Sequence, residues 1–361
     1  MLTKGAIGNL VNRYRAVLKK CTLINTFGSL AVASMLVLGG AGVASAVTYD
    51  PATHASYSFT GNTLELSSLS SATVFSNASE ACPALNITDK DMTGILRVIN
   101  TEGMGFDSYK SVNKISVGEL YIEAKKNLIN MNGANGVCSI DINAKKVTLV
   151  GGDDGNLLQT QNKDASISIT ADEIYMKTKS GMRAIRTAEN SKISVVSNKN
   201  LVIESNEEIK TSNTAKISIV ANGSANIKAS LLAEGTGDSL TLSISGPDSS
   251  IEGAMNGAGL ATTLKNGATW KLAPNHEGDS TSNFGKLTSE GGIVDMSGAD
   301  GNIKTEQLDG GKLDVIMDAA ADNSFEVSTA TDTQVTAIAS ENADAVSEAQ
   351  AKKMVSRIAG A

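Results

Sequence analysis

Few residues in this chain have the type and spacing for chemistry. Nucleophilic catalysis by serine needs a base beside the hydroxyl and an acid to orient that base. The 361 residues hold two histidines, His54 and His276. Gly237-Asp238-Ser239-Leu240 sets a serine in a glycine-containing block, with His276 as the only histidine downstream. Asp153-Asp154 is an adjacent carboxylate pair, and Arg183 and Arg186 follow about one repeat later. Such groups could line a shallow carbohydrate groove, although adjacent turn carboxylates ordinarily face water. Gly151-Gly152-Asp153-Asp154-Gly155 has the composition of a calcium-binding turn. It occurs once, and a single copy supplies too few oxygens for calcium. The chain lacks a Cys-x-x-Cys and its histidines are far apart, which argues against a structural zinc site. The expectation is no catalytic residue, no cofactor and no metal.

The elements that would position any site are repeats. Ile140, Ile167, Ile193 and Ile217 each open an apolar-polar-apolar triplet, at steps of 27, 26 and 24 residues (167−140, 193−167, 217−193). A second ladder reads Leu120, Val147, Ile174, Leu201, Ile227, and a looser third reads Ile129, Leu158, Ile185, Ile209. Alternation at period two marks strands with one buried face. Three such strands per repeat, with no helix between, predict a stacked solenoid. The fold class is therefore all-β: a right-handed, single-stranded parallel β-helix with three faces, an N-terminal cap and a C-terminal helix. One coil cannot bury its own Ile, Val and Leu; stacking places each over its equivalent in the next coil. Asn132-Gly133, Asn135-Gly136, Ser180-Gly181 and Asn222-Gly223 supply the positive φ that sharp corners need. Antiparallel hairpins would not hold three ladders at one period.

Residues 1–46 read as an extended signal peptide. Lys4, Arg13, Arg15, Lys19 and Lys20 precede an apolar stretch from Leu30 to Val43, and Ala44-Ser45-Ala46 fits the small-x-small cleavage rule with Val47 as the new N-terminus. The uninterrupted apolar core is about 14 residues, short for a spanning helix. The chain carries 31 Lys and Arg against 38 Asp and Glu. Without the five basic residues of the leader the balance is 26 against 38, a net charge of −12. That acidity argues against a nucleic-acid partner. In an oxidising compartment Cys82 and Cys138 could pair, leaving Cys21 in the leader.

After the leader, residues 47–93 read as the cap, 94–335 as the β-helix with a change of register near 253, and 336–361 as a linker and helix. Past Gly253 the order is Asn266-Gly267-Ala268-Thr269-Trp270, then Phe284-Gly285-Lys286-Leu287, then Gly291-Gly292-Ile293-Val294-Asp295. Leu308-Asp309-Gly310-Gly311-Lys312-Leu313-Asp314-Val315 comes next. Over about 260–335 this resembles the later passenger region of pertactin-like autotransporters, and the long basic leader is similar to theirs. The resemblance implies type V secretion: export by the signal peptide, then outer-membrane translocation machinery in a Gram-negative bacterium, ending at the cell surface or outside it. The chain departs from the family pattern in having no recognisable C-terminal β-barrel, whose many alternating segments of about ten residues would be evident. Gly237-Asp238-Ser239-Leu240 also resembles the nucleophile block of an esterase family that some autotransporters carry. That family places Asp-x-x-His downstream, whereas Ala273 stands three before His276.

The expected function is a non-catalytic structural or adhesive passenger with a host glycan or protein as ligand. The alternative is a β-helical carbohydrate-active enzyme, a polysaccharide lyase or hydrolase. An outward cluster of carboxylates on stacked coils would favour the enzyme, but the repeats place Ser, Thr, Lys and Asn outward.

Overall fold

The computed structural model describes residues 56–59, 63–68, 75–77, 84–179, 181–340 and 347–359. These form a parallel β-solenoid of about ten turns with one short C-terminal helix. Each coil contributes a strand to three faces, and each strand pairs in parallel with its equivalents one coil before and after.

The first ladder forms as read. Ile140 pairs with Ile167, Ile167 with Ile193 and Ile193 with Ile217. The row continues through Leu240 to Leu260. The third ladder extends further back than the sequence suggests: Phe106 precedes Ile129, Leu158 and Ile185. It proceeds through Ile209 to Leu231 and Met255. All of these side chains are buried. Burying one such aliphatic chain contributes about 1.5–3 kcal/mol, so the stack is held by many equal rungs.

The second ladder needs one correction. Leu120, Val147, Ile174 and Leu201 stack in order, but Leu201 faces Ala225, while Ile227 stacks on Ile203. The coil has shortened from 27 residues to 24 (201−174, 225−201), so the row passes through Ala225, two residues before Ile227. A two-residue slip keeps the same face inward, so alternation alone could not reveal it.

From residue 112 to 204 the first and second faces are made by continuous strands of 13 or 14 residues: Val112–Ala124, Cys138–Gly151, Ala165–Lys177 and Lys192–Glu204. From Met255–Lys265 onward, long strands instead join the third face to the first, as in Ser282–Glu290 and Ile303–Gly310. The long strands thus change corner just after Gly253. At the new corner a Cβ on Gly257 would lie 2.0 Å from the Ala233 carbonyl oxygen, and one on Gly285 would lie 2.0 Å from that of Ala258. Only glycine allows the backbones to approach so closely.

The ends differ from the sequence reading. The stretch assigned to a cap carries strands in register with the next coil: Ser56–Phe59 pairs with Asn86–Asp89, and Thr63–Ser68 with Ile95–Asn100. At the other end the stack runs past 335, through Gln334–Ala339. The C-terminal helix is Glu348–Ser356, opened by a capping box between Ser347 and Gln350. Ile358–Ala359, within the segment read as linker and helix, is a strand on Phe325–Glu326. Met354 is buried beneath the helix. Arg357 donates to the carbonyls of Asp318 and Ala321 and to Asn323 Oδ1. These bonds pin the helix to the last corner.

The cleavage-site residues Ala44, Ala46 and Val47 lie outside the described residues, as does Cys82. Cys138 carries a free, buried thiol that donates to the Ser108 carbonyl at 3.0 Å. Burial pushes that thiol's pKa up. Among the described residues no helix is long and apolar enough to cross a membrane.

Candidate functional site: a strap and its groove

The corners between the second and third faces set up the most chemically distinctive region. Two of them are minimal, with residues 229–230 between Lys228 and Leu231 and residues 253–254 between Glu252 and Met255. The next corner is ten residues long, 272–281, between Lys271 and Ser282. It folds back along the stack. Glu204, Lys228, Glu252 and Lys271 are register partners on successive coils. The corner after Glu204 is thus three coils, about 14 Å, from the root of this loop.

The loop reaches that corner through His276. Its Nδ1 lies 2.6 Å from Glu208 Oε1, and its Nε2 lies 3.7 Å from Glu207 Oε2 and 3.8 Å from Glu277 Oε1. Arg183, one coil earlier, donates from Nη2 to Glu207 Oε2 at 3.1 Å. The tip is shaped by Asn275, whose Oδ1 accepts from the backbone N–H groups of Glu277 and Asp279. Gly278 at φ +87° completes the turn. A carboxylate only accepts hydrogen bonds, so Glu208 fixes the imidazole proton on Nδ1. Glu208 is itself buried.

Between strap and stack runs a polar groove. Ser205 and Asn206 line one end, Lys228, Ser230 and Glu252 the floor, and Pro274 to His276 the strap side. The floor belongs to a column of alternating charge: Lys177, Glu204, Lys228, Glu252, Lys271 and Asp295 in register. Lys177 and Glu204 touch at 2.9 Å, and this contact raises the lysine's pKa. Similar rungs join Lys146 to Glu119, Lys210 to Glu234 and Lys265 to Glu290. Each exposed pair contributes little. Together they explain how an acidic surface stays ordered with its lysines dispersed.

The residues singled out from sequence are scattered over this frame. Asp238 is buried in a turn, where its carboxylate accepts from the N–H groups of Ala215 and Gly235. Ser239 begins a first-face strand opposite Lys216, while His276 is engaged with Glu208. Asp153 and Asp154 are exposed on a corner whose N–H groups bond the Lys125 carbonyl. Arg186 stands in register between Gln159 and Lys210. Arg183 alone joins the strap cluster. Glu207, Glu208 and His276 were not anticipated, because 68 residues separate the last two (276−208). The available signal was a ten-residue loop, with a proline and a histidine, directly after two two-residue corners. Comparison with protein-family models, with curated proteins and with solved structures finds no match to this chain.

Proposed function

We propose that the chain is the passenger of a pertactin-like autotransporter, exported by its N-terminal segment and displayed at or released from a Gram-negative cell surface. Its role in this reading is structural and adhesive. The parallel solenoid and the sequence order over 260–335 support the family reading. The observation that carries the adhesive role is the outer surface of the first face, where Ser168, Ser194, Ser218 and Thr241 stand in register on consecutive coils. Hydroxyls repeated at about 4.8 Å along a flat sheet match an extended polymer, a glycan or a strand-like peptide, better than a compact small molecule. Enclosed, largely apolar pockets suit the latter.

The test uses purified residues 47–361 against glycan and matrix-protein panels, and against ester, peptide and polysaccharide substrates. Saturable binding without turnover is expected, weakened when Ser194 and Ser218 are both replaced by Lys. Turnover that disappears in Ser239→Ala, or on replacement of Asp153 and Asp154, would overturn this reading in favour of an enzyme.

A further inference from the structure

The strap's contacts leave a chemical conflict at one atom. Glu208 can only accept, so the close partner Nδ1 must carry the imidazole proton. In the neutral form that a metal ligand takes, the ring presents a lone pair at Nε2. Facing that lone pair are two carboxylates, Glu207 Oε2 at 3.7 Å and Glu277 Oε1 at 3.8 Å. Three acceptors converge with no donor among them. Arg183 supplies one positive charge against the three carboxylates of Glu207, Glu208 and Glu277, leaving an excess of two negative charges around the ring.

We infer that a divalent transition metal of the zinc class sits at this point and staples the strap to the stack. Zinc takes imidazole nitrogen and carboxylate oxygen at about 2.0–2.2 Å, in tetrahedral arrangement. Ligand atoms in one such shell stand roughly 3.4 Å apart. The spacings of Nε2 to Glu207 and Glu277 are close to that value. Glu208 then acts as the orienting carboxylate behind the histidine, an arrangement common to metal-bound imidazoles. The Nδ1 contact of 2.6 Å fits a hydrogen bond to an orienting group, not two ligands of one ion. Donor atoms of Glu207, Glu208 and His276 lie within 4.8 Å of one another, and Glu277 is an exposed side chain adjacent to the histidine. Arg183 donates to the same Glu207 Oε2, whose second lone pair remains for the metal. Solvent completes the shell. Cysteine pairs and neighbouring histidines, whose lack argued against zinc, are not needed for such a site. Here the donors come from two corners three coils apart.

The experiment titrates zinc alone into the chelator-stripped full chain, with cobalt as a spectroscopic stand-in. One equivalent should bind, with the visible bands of low-coordinate cobalt. Cleavage by a glutamate-specific protease after Glu277 should slow at least tenfold on zinc addition. His276→Ala should abolish both effects. Glu208→Gln should weaken binding about 10–100-fold and alter the cobalt spectrum. Glu290→Gln, at a distant ion pair, should change neither. Zinc affinity unchanged in His276→Ala would overturn the inference. So would a strap that tightens only as pH falls and ignores zinc, the behaviour of a protonated imidazole acting alone.

Discussion

Replacing Ile193 with aspartate is expected to cost several kcal/mol and to lower the denaturant midpoint more than any surface change. Ile193 is 2 % exposed, stacked between Ile167 and Ile217. A carboxylate there has apolar neighbours above and below. A buried charge without a partner is so unfavourable that the group takes up a proton instead. The sign of the pH dependence follows. Burial raises the folded-state pKa of the new aspartate above its unfolded value of about 3.9. Its destabilisation is therefore greatest above the folded pKa and shrinks as pH falls toward 4. Ile193→Asn should destabilise without that dependence. Trp270 is the chain's one tryptophan and is fully buried, so its fluorescence reports the unfolding of both variants. An unchanged midpoint would place residue 193 outside the core.

Trp270→Ala is the second large effect, expected at about 3–5 kcal/mol from the cavity alone. The indole stacks in register between Ile251 and Val294 and meets the Phe284 ring edge-on at 5.4 Å and 84°. Its Nε1 donates to the Gly253 carbonyl at 2.9 Å. Truncation would leave that buried oxygen without its donor, a further cost of about 1–3 kcal/mol. Because the loss sits where the long strands change corner, stability from Met255 onward should fall most. Apart from the strap, coils contact only their neighbours, so damage in a stack is local before it is global. Hydrogen exchange should show faster amide exchange over 255–340 than over 112–204. Uniform acceleration along the whole stack would contradict this.

The sequence showed the fold where a physical constraint repeats at a fixed interval. Ile140 to Ile217 must all point inward, and their period exposes both the strands and the stacking. The reading failed where the constraint is indifferent to the error: Ile227 and Ala225 share a face, so either satisfies the alternation. It also failed at the ends. Ser56–Phe59 pairs like any internal strand, yet its Ser-rich composition resembles a cap. The strap cluster was hidden for another reason. Nothing local marks Glu207-Glu208 or His276 as partners; only the backward course of 272–281 brings them together. Asp238 and Ser239, conspicuous as a motif, serve a turn and a strand edge.

The described strands form one parallel stack with a fixed register, from which the faces, the groove and the strap all follow. The most direct measurement is pairwise disulfide formation between cysteines placed on the outer row of the first face, in a chain whose native cysteines are replaced by alanine. Ser168 and Ser194 are register partners, as are Ser194 and Ser218. Neighbouring parallel strands lie about 4.8 Å apart, within the Cα separation a disulfide spans. Cysteines at 168 and 194, or at 194 and 218, should oxidise rapidly and nearly completely. Cysteines at 168 and 218 stand two coils apart, about 9.6 Å, and should not couple. Failure of the adjacent pairs, or equal coupling of 168 with 218, would contradict the stack.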